Sequence, residues 1–172
     1  MSHTPPRRRL LTSVAAGAAA VALAATPAMA GNPHFIASQT RVSLVGMDLS
    51  VKFKEAGLES GSQVTVELSA HLEATYQCIN KGGNNPADPK KTTVDTDVAA
   101  NAPFTVPKNG NLVGTINLPA PAAADVLDCP GGQTSTLTEV TWSMLELNDL
   151  TTGAYLALPG TYSAGATVGK GK

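Results

Sequence analysis

The chain is poor in the residues on which most chemistry relies. Of 172 residues only 4% are aromatic (three Phe, three Tyr and one Trp), and there are two Cys and three His. Once a core has taken its share, so few rings leave little for an exposed stacking platform. Charged residues make up 15% and the formal net charge is −1, which excludes a strongly basic nucleic-acid binder and an acidic tail protein. The 16 Gly and 12 Pro fall short of a low-complexity chain. After residue 30 no apolar run is long enough to cross a bilayer. No EF-hand loop, Cys-His zinc spacing, phosphate loop or dinucleotide fingerprint occurs anywhere.

What is present begins with an address. Arg7, Arg8 and Arg9 precede an apolar, Ala-rich run from Leu10 to about Ala25, then Pro27 and the small-x-small triplet Ala28-Met29-Ala30. Residues 1–30 therefore read as a cleaved signal peptide. Arg7-Arg8-x-Leu10-Leu11 also loosely fits a twin-arginine signal, so the general secretory and twin-arginine routes both stay open. The thirty residues hold three Arg and no acid, leaving nine basic and thirteen acidic residues, a net charge of −4, on 31–172. The expected product is a secreted, mildly acidic single domain with no call for DNA or anionic lipid. In an oxidising compartment its two cysteines have one intramolecular pairing, Cys78 with Cys129.

Periodicity then sets the fold class. From Val64 to Cys78 every even residue is apolar or weakly polar and every odd residue is polar. Such alternation is a strand with one face in and one out. Shorter stretches behave alike: an opening strand over Phe35–Leu44, then Leu49/Val51/Phe53, residues 92–106, and Leu112/Ile116/Leu118 after the hairpin-type dipeptide Asn109-Gly110. Val140 and Trp142 have one parity, Leu145 and Leu147 the other, which predicts a bulge near Ser143–Met144. Tyr155–Leu158 closes the set. About seven strands and no amphipathic helical run predict an all-β sandwich of immunoglobulin-like architecture with one disulfide. If successive strands run up and down, Cys78 and Cys129 fall at one pole.

Catalysis finds little support. His34 lies near the start of the domain and His71 on a polar strand face, and neither adjoins a nucleophile elbow. The chain is expected to be no enzyme and to need no cofactor, a hydrolase being the remotest reading. Glu67, His71 and Glu73 line the outward face of the long strand and form a candidate cation site. A hairpin with 92–106 would bring Asp95 and Asp97 near them, although repulsion between opposed carboxylates predicts a register that avoids such pairs. Most aromatic residues share parity with the core; Phe35 and Tyr162 are the expected exceptions. The most distinctive surface is the loop after Cys78, where Asn80, Lys81, Asn84, Asn85, Asp88, Lys90 and Lys91 form a candidate binding loop that the disulfide would pin beside Asp128–Gln133.

Phe53-Lys54-Glu55-Ala56-Gly57-Leu58, Ala74-Thr75-Tyr76-Gln77-Cys78-Ile79-Asn80 with Gly82-Gly83-Asn84-Asn85-Pro86, Cys129-Pro130-Gly131-Gly132-Gln133 and Leu158-Pro159-Gly160-Thr161 resemble blocks of a group of small secreted actinobacterial proteins. The likeness runs from about Phe35 to Thr161. It implies export and a disulfide-bridged β-domain, and it transfers no catalytic residue. Trp142 follows both cysteines, so the Cys-Trp-Cys order of antibody domains is absent and only the sandwich architecture is shared.

The leading functional expectation is a non-catalytic β-sandwich that binds another macromolecule, an extracellular protein or wall component. Contact would come through the disulfide-anchored loops or through the arm Gly31–Thr40 adding a strand to a partner, for instance as an adaptor in a secreted assembly. A cation-dependent wall or polysaccharide binder is the alternative.

Overall fold

The computed structural model describes residues 31–80, 82–83, 86 and 90–166; the expected signal peptide lies outside them. Among the described residues nine strands occur: β1 His34–Phe35, β2 Arg41–Val45, β3 Asp48–Ala56, β4 Gln63–Asn80, β5 Lys91–Thr105, β6 Leu112–Leu118, β7 Gln133–Asp149, β8 Tyr155–Leu158 and β9 Tyr162–Gly165. One helical turn, α1 Ala123–Val126, precedes β7.

Two antiparallel sheets pack face to face. In the four-stranded sheet β3 pairs with β1 and β2 along one side and β6 along the other; in the five-stranded sheet the order is β5-β4-β7, with β8 and β9 both on β7. The alternation from Val64 to Cys78 is realised as expected: all eight even residues are buried, and Leu49, Val51 and Phe53 of β3 face them from the other sheet. Pleat parity decides which side of each strand meets the opposite layer, and burial of that side drives the two sheets together. Trp142 is fully buried on β7, and its indole N–H donates to the Met47 carbonyl of the β2–β3 turn at 3.0 Å. Tyr76, equally buried, donates its hydroxyl to the Pro121 carbonyl at 2.9 Å. Each buried ring thus keeps its polar end satisfied.

Three sequence expectations need correction. The opening segment is not one strand: it is the two-residue β1, a 3-10 turn Ala37–Gln39, and β2. Phe35 is buried and not an exposed exception, its ring edge-on to Phe53 at 5.6 Å, while Tyr155 is the exposed aromatic at 56%. A two-residue strand carries no readable period, so parity could not place Phe35. Asn109-Gly110 makes a turn, with Gly110 N–H donating to the Pro107 carbonyl, but not a hairpin between paired strands. It passes the chain from β5 in one sheet to β6 in the other. Gly110 has φ +68°, and a Cβ there would sit 2.7 Å from the Leu58 carbonyl oxygen, so only glycine fits this crossing. Gly114 is required for another reason: a Cβ would lie 2.5 Å from the Phe53 ring and 2.9 Å from that of Phe104, which pack edge-on at 5.4 Å.

The disulfide Cys78–Cys129 is present and joins the end of β4 to the connection before β7 at one pole. One buried group was not foreseen. Glu55 continues the inward parity of Leu49, Val51 and Phe53, is fully buried, and has no hydrogen-bond partner for either oxygen. Burial first, and then the negative charge of buried Asp149, pushes its pKa from 4.5 up to about 8. Asp149 is well supplied, accepting the Thr151 N–H at 2.8 Å and the Thr152 hydroxyl at 2.6 Å. Glu55 therefore holds a proton in the folded state that it releases on unfolding at neutral pH.

Two predictions follow from this core. Closing 51 positions of chain, the disulfide is expected to contribute about 4 kcal/mol in the loop-entropy treatment; thermal melts with and without reductant will read the difference. Because Glu55 is more protonated folded than unfolded between pH 4.5 and about 8, stability should fall as pH rises through that window. The steepest loss from this one group is about 1.4 kcal/mol per pH unit. Glu55→Gln should flatten the slope in urea titrations at several pH values.

Candidate functional site

The outer face of the five-stranded sheet gathers the titrating side chains. On β4 the odd residues point out, and the β4–β5 register sets His71 opposite Asp97 and Glu73 opposite Asp95. The expected proximity of Asp95 and Asp97 is therefore met, but the expectation that opposed carboxylates would be avoided is overturned. What offsets the repulsion is His71. Its Nδ1 lies 2.8 Å from an Asp97 carboxylate oxygen and its Nε2 lies 3.0 Å from one of Asp95. A neutral imidazole has one N–H; only the imidazolium donates to both carboxylates. The hydrogen bond to Asp97 raises the His71 pKa above 6.5, and the charges of Asp95, Asp97 and Glu73 add to it against a partial desolvation.

His71, Glu73 and Asp95 each offer a ligand atom within 4.8 Å of the others. Glu67 does not belong to this group. It stands opposite Asn101, four residues from His71, about 13 Å along an extended strand. The sequence pattern placed all three on one face, but face alone does not measure distance along it. Asp95, on the neighbouring strand, takes the third place.

The bulge expected near Ser143–Met144 is present: the register slips between Ser69 and His71, and Met144 adopts φ 50° with 71% of its surface exposed. A second bulge was missed, near Thr138, which is buried and donates its hydroxyl to the Thr75 carbonyl at 3.0 Å. Beside the first bulge is a hollow of about 340 Å³ lined by Ser69, Ala70, His71, Asp97, Met144 and Glu146. Ser143 lies opposite His71 in the ladder, so serine, histidine and aspartate share a row. No hydrogen bond joins Ser143 to His71 among the described residues, and the imidazole is engaged by carboxylates through both nitrogens.

The other candidate surface lies at the disulfide pole. Cys78 N–H donates to the Lys90 carbonyl, and the Lys90 ammonium donates to the Asp128 carbonyl at 2.8 Å. Asn80 ends β4 and Lys91 begins β5. Lys81, Asn84, Asn85 and Asp88 lie outside the described residues. Within the arm Gly31–Thr40, His34 and Phe35 pair with Ala56 and Glu55 of β3.

Comparison with protein-family models, curated proteins and solved structures gives no match for this chain.

The geometry makes a spectroscopic prediction. The His71 ring should titrate above 6.5 by NMR, and Asp97→Asn should lower that midpoint by removing its largest cause. Any stability from this cluster is complete below the unfolded histidine value and fades as pH rises through the folded one.

Proposed function

We propose that this chain is an exported, non-catalytic binding module. It works through the acidic outer face of its five-stranded sheet and takes a divalent cation among His71, Glu73 and Asp95. The observation that carries this reading is the β4–β5 register, which presses Glu73 against Asp95 with His71 as the adjoining counter-charge. A bound cation would relieve that repulsion. One imidazole and two carboxylates suit Zn²⁺ or Mn²⁺ better than Ca²⁺, which prefers six to eight oxygens. The 3.0 Å between His71 Nε2 and the Asp95 oxygen is close to the spacing of neighbouring ligands with bonds of about 2.0–2.1 Å. Glu73 would close in to complete the set, leaving open positions for water.

Export is supported by the basic, apolar and small-residue segments of residues 1–30 and by a disulfide, a bond suited to an oxidising space. No helix among the described residues is long and apolar enough to cross a membrane. The likeness to secreted actinobacterial proteins favours a wall component or another secreted protein as the partner. A second reading uses the disulfide pole, favoured by the Lys90–Asp128 bond that ties the ends of its loops together.

Calorimetry tests the cation. One Zn²⁺ site is expected, with Ca²⁺ bound more weakly. Affinity should fall between pH 8 and pH 6, because a proton on His71 competes with the metal. His71→Ala should abolish the binding. Absence of both heat and thermal shift with Zn²⁺, Mn²⁺ and Ca²⁺ at pH 8 would remove the proposal.

A further inference from the structure

The two outer faces of the sandwich carry opposite charge. On the five-stranded sheet Glu67, Glu73, Asp95, Asp97, Glu139 and Glu146 all occupy outward register positions. Among the described residues the cationic groups on that face are His71 and, at its end, Lys91. On the four-stranded sheet the outward positions of β2 and β3 hold Arg41, Lys52 and Lys54, with Ser43 and Ser50 in the adjoining row. Thr115 and Asn117 of β6 extend the same rows. Among the described residues the outward carboxylate there is Asp48, at the end of β3, which accepts the Ala120 N–H at 3.1 Å. Arg41 lies directly opposite Lys52; its guanidinium donates through Nη1 to the Ser38 and Thr40 carbonyls, both at 2.8 Å, and no ion pair engages Arg41, Lys52 or Lys54 among the described residues.

Both faces thus hold a like-charge pair across the ladder, Arg41 with Lys52 on one and Glu73 with Asp95 on the other. Each such pair is unfavourable in an isolated sheet. Both are relieved if one face is laid on the other. Same-face residues recur about every 6.6–6.8 Å along a strand and about 5 Å across strands on either sheet, so the two charge lattices share a spacing.

We infer that the partner of the acidic face is a second copy of this chain, docked through its four-stranded sheet. This builds on the reading of the acidic face as a binding surface and supplies the partner's chemistry. Arg41, Lys52 and Lys54 of one copy neutralise carboxylates of the next. The contact is heterologous, since the two patches differ, and each docked pair keeps one free patch of each kind. Such a contact propagates as a stack and does not close as a two-fold dimer. A contact between two polar sheet faces of this size belongs to the weak, reversible class, governed by charge and sensitive to salt. A divalent cation on the acidic face subtracts positive attraction for the partner, so cation binding and stacking oppose each other.

Sedimentation velocity on the oxidised domain, with chelator present, tests the stack separately from the cation. At about 0.01 M salt, where charges act over about 30 Å, the sedimentation coefficient should climb with concentration; at about 1 M salt, with a range of about 3 Å, it should stay monomeric. Lys52→Glu with Lys54→Glu should weaken association at least about tenfold, as should Glu67→Lys with Glu139→Lys. Circular dichroism and melting confirm that both variants are folded. The deciding result is the mixture: the two charge-reversed variants should associate with each other where neither associates alone. A chain that stays monomeric at low salt, association indifferent to the reversals, or a mixture that does not associate would each overturn the inference. Capture of a polyanion such as heparin by the wild-type monomer, without self-association, would reassign the basic face.

Discussion

Strand β4 is hydrogen-bonded on both sides over most of its length, to β5 along one edge and to β7 along the other, and everything else in the molecule is placed by it. With both edges engaged, its pleat cannot rotate, so even residues must enter the core and odd residues must leave it. The inward set supplies the floor on which the four-stranded sheet rests. The outward set, read against the rigid neighbours β5 and β7, fixes which carboxylates stand next to His71. A slip of one residue would bury His71 and Glu73 and expose Leu72, so core and candidate site stand or fall on the same register.

Much of this was legible in the amino-acid order. Fifteen residues of alternation from Val64 define a strand without ambiguity, and the change of parity between Trp142 and Leu145 located a bulge to within a residue. The pairing of the cysteines followed from there being two. Other features lay beyond local pattern. Asn109-Gly110 encodes a turn, but nothing in a dipeptide says whether the chain returns to the same sheet or crosses to the other. Glu67 shares a face with His71, yet the third member of the cluster came from β5, because register between strands is a long-range property. Glu55 was readable as inward by parity, but a sequence does not announce that Asp149 waits beside it across the sandwich.

The two carboxyl-rich regions show how setting decides chemistry. On the surface, Glu73 and Asp95 face each other in water, with the His71 ring 3.0 Å from the Asp95 carboxylate. In the interior, Glu55 meets Asp149 without a basic neighbour among the groups that shift it, and the conflict is met by a retained proton. Burial raises the cost of charge, while exposure allows a neighbour or a dissolved ion to share it. The same residue type thus stands as an exposed carboxylate in one place and as a neutral acid in the other.

Trp142 is the chain's sole indole, and its N–H is tied to a carbonyl of the opposite layer. It therefore sits on the joint between the layers and not within either of them. Its intrinsic fluorescence is a native gauge of layer separation: parting of the sheets would wet the ring and redden its emission, whereas fraying at the disulfide pole would leave the signal untouched.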